Sequence, residues 1–148
     1  MRLLIATDML LDLIAERPES IEAWNKLNAL ELTGSAELWA AASSYDALRA
    51  QLAEVIDDAD VRSALRSTMS FITICSVDGS DVRFALDHAD LPYEAAIAEA
   101  CARKIQADYV VTNQGPLAVS RAIKRVTPTE LFDDIEAERG IVFDLVDF

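Results

Sequence analysis

The chain has 148 residues, 52% of them hydrophobic and 26% charged, which is enough for one domain with a buried core and too apolar for general disorder. Thirteen Lys and Arg against 26 Asp and Glu leave a net charge of −13. A chain this acidic cannot assemble the broad cationic face that phosphate-led nucleic-acid binding or attraction to anionic membranes requires.

Read in chain order, short β-rich runs alternate with longer amphipathic ones. Arg2–Ile5 is predicted as a buried strand. Met9–Glu16 is predicted as a helix with Met9, Leu10, Leu13 and Ile14 on one face, ending before Pro18. A second helix is expected over Glu19–Leu32, with Ile21, Ala23, Trp24, Leu27 and Leu30 inward, broken by Gly34 and Ser35. Leu38–Ala42 is predicted as a short strand, followed by a helix capped by Ser43 or Ser44 and running to about Ile56. Asp57, Asp58 and Asp60 open the next helix, where carboxylates oppose the positive end of the helix dipole. Phe71–Cys75 is a strand. Ser80 is expected to cap a helix through His88, and Pro92–Gln106 forms a long Ala-rich helix. Asp108–Thr112 is a strand, Pro128–Glu136 a short acidic helix, and Ile141–Val146 a last strand. Such alternation means a single α/β domain over residues 1–148 with a mainly parallel sheet.

Cys75 and Cys101 lie in apolar runs without a Cys-x-x-Cys, and His88 has no Cys or His at ligand spacing. A disulfide framework and a thiolate zinc site are therefore not expected. Asp8 and Asp12 interrupt the apolar N-terminus, so it does not read as a secretory signal. No apolar run reaches the roughly 18 residues of a membrane span, and the expected location is the cytoplasm.

Ligands of open parallel sheets bind beyond the carboxyl ends of the strands. That rule selects Ala6 to Asp8, Ala42 to Asp46, Ser76 to Ser80, and Thr112 to Gly115. Neither GxxxxGK[ST] nor GxGxxG occurs, which excludes the usual mononucleotide and dinucleotide sites. No GxSxG is present, and His88 reads as a helix-end histidine rather than a base. Carboxylates remain. Asp8 follows the first strand, Asp46 the second, and Glu94 opens the long helix; gathered together, such acids hold Mg²⁺ or Mn²⁺ and activate water against a phosphodiester. The same acids also suit solvated or helix-capping positions.

The order LLIATDMLLDLIAERP, ASSYDAL, PYEAAIAEACARKIQADYVVTNQ and VTPTELF resembles the PIN-domain family, in its bacterial VapC-toxin-like branch. The resemblance runs from residue 2 to about 132, with 141–146 an additional strand. It implies a PIN-like three-layer α/β sandwich, metal-dependent ribonuclease chemistry by three or four acids, and often a toxin paired with a small antitoxin protein. In the matched register the family's first metal-binding Asp falls on Ala6, a second acid on Ala47 and a third on Ala95, while Gln114 stands where an Asp or Asn is typical. Alanine offers no oxygen to Mg²⁺.

The leading expectation is a degenerate PIN-like protein that needs no cofactor and acts by binding or association. The alternative is an active Mg²⁺- or Mn²⁺-dependent endonuclease of single-stranded RNA, with a displaced site of Asp8, Glu94 and Asp46. In that reading Asp8 and Glu94 ligate the metal, and Thr7, Ser43, Thr112, Asn113 and Gln114 contribute to binding. A third reading is an interaction module, with a homodimer face on the helices Met9–Glu16 and Glu19–Leu32. Arg103, Lys104, Arg121, Lys124 and Arg125 are the nearest approach to a basic patch, so any RNA contact is expected to be weak.

Overall fold

The computed structural model describes residues 1–114 and 123–140. Strands β1 (Arg2–Ile5), β2 (Glu37–Ala41), β3 (Ile72–Cys75), β4 (Tyr109–Val111) and β5 (Lys124–Val126) form one sheet ordered β3-β2-β1-β4-β5. Every pairing is parallel; Leu4 lies opposite Trp39 on one side and Val110 on the other. The chain builds outward from β1 to β3, then returns to the other side of β1, so the strand order reverses between β1 and β4.

Alternation along the strands divides the core between two faces. Leu3, Ile5, Leu38, Ala40, Ile72, Tyr109, Val111 and Val126 point to one face. There they meet α1 (Thr7–Ile14), α2 (Ile21–Leu32), α3 (Ala42–Leu52), α4 (Asp58–Thr68) and α7 (Pro128–Arg139), through Met9, Trp24, Leu27, Leu48, Val61, Leu131 and Ile135 among others. Leu4, Ala41, Cys75 and Val110 point to the other face, against α5 (Gly79–Asp87) and α6 (Tyr93–Lys104). The result is the three-layer α/β sandwich expected from the sequence. Residues 95–102 of α6 are all buried, and five of the eight are alanine, which lets the helix lie close to its neighbours. Cys75 and Cys101 are buried free thiols. Burial, reinforced by Cys75, pushes the Cys101 thiol up to about 12, so it stays protonated and packs as a small hydrophobe.

Several boundaries differ from expectation. Helix α1 begins at Thr7, two residues early, because Ala6 already turns the chain and its carbonyl accepts from Met9 and Leu10. Pro18–Ser20 form a 3₁₀ turn before α2, and Ile21 is exposed rather than inward. Trp24 does face the core, donating from Nε1 to the Met9 carbonyl at 3.0 Å. Helix α3 starts at Ala42 with no side-chain cap, so neither Ser43 nor Ser44 caps it, and it ends at Leu52. Ser80 is not the cap of α5: Asp78 is, with Oδ1 accepting from the N–H groups of Ser80 and Asp81 while Asp81 accepts from the Asp78 N–H. Pro92 sits at the N-cap of α6 rather than inside its first turn. Strand β5 has no counterpart in the prediction; three residues containing two cations carry little periodicity, and only pairing with β4 makes them a strand. The expected strand 141–146 lies outside the described residues. No described helix is long and apolar enough to cross a membrane.

The Ser80 hydroxyl and the Asp81 N–H, aided by Lys104, hold the Asp78 carboxyl down at about 2, from an ordinary 3.8. A depressed carboxyl stabilises the fold above its unfolded pKa, and that contribution disappears as the pH falls through the folded value. Asp78→Ala is therefore expected to lower the melting temperature at neutral pH, with the gap to wild type closing between about pH 4 and about pH 2. Scanning calorimetry across that range checks it.

Candidate functional site

Parallel pairing sends every strand's carboxyl end to the same edge of the sheet. A cavity of about 520 Å³ lies there, beside the point where the strand order reverses. Leu4, Ile5 and Ala6 from the end of β1, Ala41 from β2, Thr112 after β4 and Arg125 from β5 form one side. Thr7, Asp8 and Leu11 of α1, Ser43, Ser44 and Gln51 of α3, Gln114, and Pro92 to Ala95 with Ile97 and Ala98 at α6 complete it. Three helices begin at this cavity. Their N-cap residues are Ala6, Ala41 and Pro92, and none gives its helix a side-chain cap.

Two of the three alanines aligned with family acids, Ala6 and Ala95, are in the lining; Ala47 is not. Of the acids considered for a displaced site, Asp8 and Glu94 line the cavity. Asp46 does not: it is exposed on α3. Among the other candidates, Thr7, Ser43, Thr112 and Gln114 reach the lining, whereas Asn113 turns toward α1.

Asp8 is committed to the fold. Its Oδ1 and Oδ2 each accept from Thr112 Oγ1 at 3.1 Å, and Oδ2 accepts from the Asn113 N–H at 2.7 Å. One turn later on the same helix face, the buried Asp12 accepts from Asn113 Nδ2 and from Arg17 Nη1. Donors on the β4 exit thus occupy the acids of α1 and clamp the two elements together. Sequence reading missed Asp12, although an acid on the apolar face of a short helix signals a buried partner. Thr7 Oγ1 and Ser44 Oγ share a hydrogen bond of 2.7 Å that joins the starts of α1 and α3.

Among the described residues, the basic side chains of the expected patch do not gather into one. Arg103 pairs with Glu99 and lies over the Phe84 ring. Lys104 donates to the Ser76 carbonyl and Asp81, and Lys124 pairs with Asp134. Arg121 is outside the described residues. Arg125 is different: strand alternation places it opposite Val126, on the α6 face, and it lines the cavity. Burial pulls its pKa down, while Asp8 and Glu99 act through space to favour its charge. His88 ends α5, stacked on Phe84 at 3.9 Å between ring centres, a packing role.

Divalent cations of the Mg²⁺ type need several oxygen ligands around one point. Among the described residues no group of three His, Cys, Asp or Glu side chains is close enough to hold a metal. The donors at the cavity do not fit such an ion: Asp8 is engaged by Thr112 and Asn113, Glu94 is at the exposed rim, and a guanidinium shares the space.

No family model and no curated protein matches the chain. Solved structures do. VapBC2 from Rickettsia felis, bound to a DNA fragment from its promoter, matches with a TM-score of 0.59 at 17% identity, covering 76% of this chain and 88% of that one. VapC20 from Mycobacterium tuberculosis, a toxin that cleaves the sarcin-ricin loop, matches with a TM-score of 0.58 at 12% identity, covering 73% and 86%. The fold is PIN-like. The five-stranded parallel sheet with helices on both faces is the architecture of these VapC toxins, as the sequence resemblance implied.

Thr112→Val removes the hydroxyl that donates to Asp8 and keeps the side-chain shape. It is expected to cost about 1.5–3 kcal/mol, the range for a lost bond to a charged group, in urea unfolding measured with EDTA present.

Proposed function

We propose that this chain is a PIN-like domain whose metal centre is degenerate and whose work is binding or association rather than RNA cleavage. The observation that carries this reading is the lining of the cavity: methyl groups at Ala6 and Ala95, and two acids, of which Asp8 is already clamped by Thr112 and Asn113 and Glu94 is exposed. A displaced site would need Asp8, Asp46 and Glu94 to converge, and Asp46 lies away from the cavity. The stability logic is consistent. Carboxylates about 4 Å apart with no cation between them repel by as much as roughly 4 kcal/mol at an effective dielectric near 20, so neutral replacements favour a fold that holds no metal.

A ligand that binds only the native state raises its melting temperature. Millimolar Mg²⁺ or Mn²⁺ is therefore expected to leave the melting temperature unchanged and to produce no cleavage of single-stranded RNA. A metal-dependent rise, or cleavage lost in Asp8→Ala, overturns the proposal.

For association, the partners are a second copy of the chain and a small antitoxin protein. Support for the protein partner is a structural likeness to a VapBC2 assembly. Support for the second copy is the exposure of Ile21 and Leu32 at the two ends of α2, although the rest of that helix's apolar face fills the core. Light scattering is expected to give twice the 16.2 kDa chain mass; a monomer at micromolar concentration removes the homodimer.

A further inference from the structure

Arg125 stands out at the cavity. Its Nε and Nη1 are shielded from solvent and, among the described residues, donate to no partner. Among the described residues no acid forms an ion pair with it; Asp8 and Glu99 act on it only through space. A sequestered guanidinium with unused donors is costly, and such donors call for an acceptor that brings negative charge. The donors around it are of matching type. The first turns of α1, α3 and α6 border the same cavity, and N–H groups at helix starts have no partner inside the helix. Thr7 and Ser44 line the cavity as well, and their shared hydrogen bond uses one of their two hydroxyl protons and leaves the other to donate; the Thr112 proton is taken by Asp8. Leu11, Tyr93 and Ile97 give the lining an apolar stretch beside the polar Ser43, Gln51 and Gln114, and about 520 Å³ accommodates a small organic body.

We infer that this cavity binds a small phosphate monoester without metal, Arg125 supplying the counter-charge and the apolar stretch receiving the ester's organic part. The inference rests on the metal-free reading above and gives that binding protein a ligand class. Two acids at the cavity oppose an anion. Asp8 is already an acceptor for Thr112 and Asn113, and Glu94 is exposed, where solvent and salt weaken its repulsion. Opposition from Glu94 also yields a test of sign. If Glu94 served as a cation ligand, its loss would weaken binding at the cavity; beside a phosphate, its loss strengthens it.

The experiment is calorimetric titration and thermal shift of the full chain in EDTA at fixed ionic strength. The probes are inorganic phosphate, adenosine 5′-monophosphate and a short single-stranded RNA without a terminal phosphate. Adenosine monophosphate is expected to bind more tightly than phosphate, and the RNA more weakly than either. Arg125→Met is expected to weaken the monophosphate by at least about tenfold, as loss of a charge-assisted fork does. Glu94→Gln, on an exposed site, is expected to tighten it about two- to threefold through a screened charge. Should Arg125→Met fail to fold by circular dichroism, Arg125→Lys, which keeps the charge but not the planar fork, is expected to bind more weakly than wild type. The inference is overturned if neither phosphate probe binds wild type, if only the RNA binds, if the folded Arg125 variant binds as wild type does, or if Glu94→Gln weakens binding. Failure of the metal-free reading is seen separately, as a Mn²⁺ shift in the absence of any phosphate.

Discussion

All five strands run in the same direction, and much of the structure follows from that constraint. Parallel pairing requires each strand to be followed by a crossover, so strand ends and helix starts accumulate on one edge of the sheet. The positive ends of α1, α3 and α6 therefore border the cavity there, whatever their side chains. A site of that kind favours negative charge. In this chain Ala6, Ala95 and Arg125 line that edge, together with Asp8 and Glu94.

Acids and bases are sorted by partner availability rather than by number. The chain is strongly acidic, and on α1 the half-buried Asp8 and the buried Asp12 both have donors. Asp8 and Asp12 would repel one another at this spacing on α1, and the Thr112–Asn113 exit of β4 supplies the hydrogen bonds that relieve them. The result fastens β4 beside β1, where the strand order reverses. Cations follow the same rule. Arg103, Lys104 and Lys124 are used by neighbouring acids and carbonyls, so these described cations form no patch for a nucleic-acid backbone. Among the described basic residues at that end of the chain, Arg125 alone lines the cavity, because strand alternation turns it away from the acids of α7.

The layout of the fold was legible in the residues. Four of the five described strands were predictable from apolar runs such as RLLI, FITIC and DYVVT, and their spacing by helical segments required a parallel sheet. Periodicity also placed Trp24, Leu27 and Leu30 inward. It failed where a local signal was too short or ambiguous. Three residues at β5 cannot show alternation, Ser80 and Asp78 are both plausible caps, and Ile21 lies on a face that the 3₁₀ turn before it rotates outward.

By itself, then, the sequence determined the α/β class, the edge of the sheet to search, and the alanines at positions 6, 47 and 95, since these depend on residue identity and short-range spacing. The tertiary structure decided which of those positions meet. It put Ala6 and Ala95 in one cavity and left Ala47 out, tied Asp8 to residues more than a hundred positions away, and turned an apparent surface arginine inward. Pairing partners and side-chain direction come from packing between distant segments, and no local pattern encodes them.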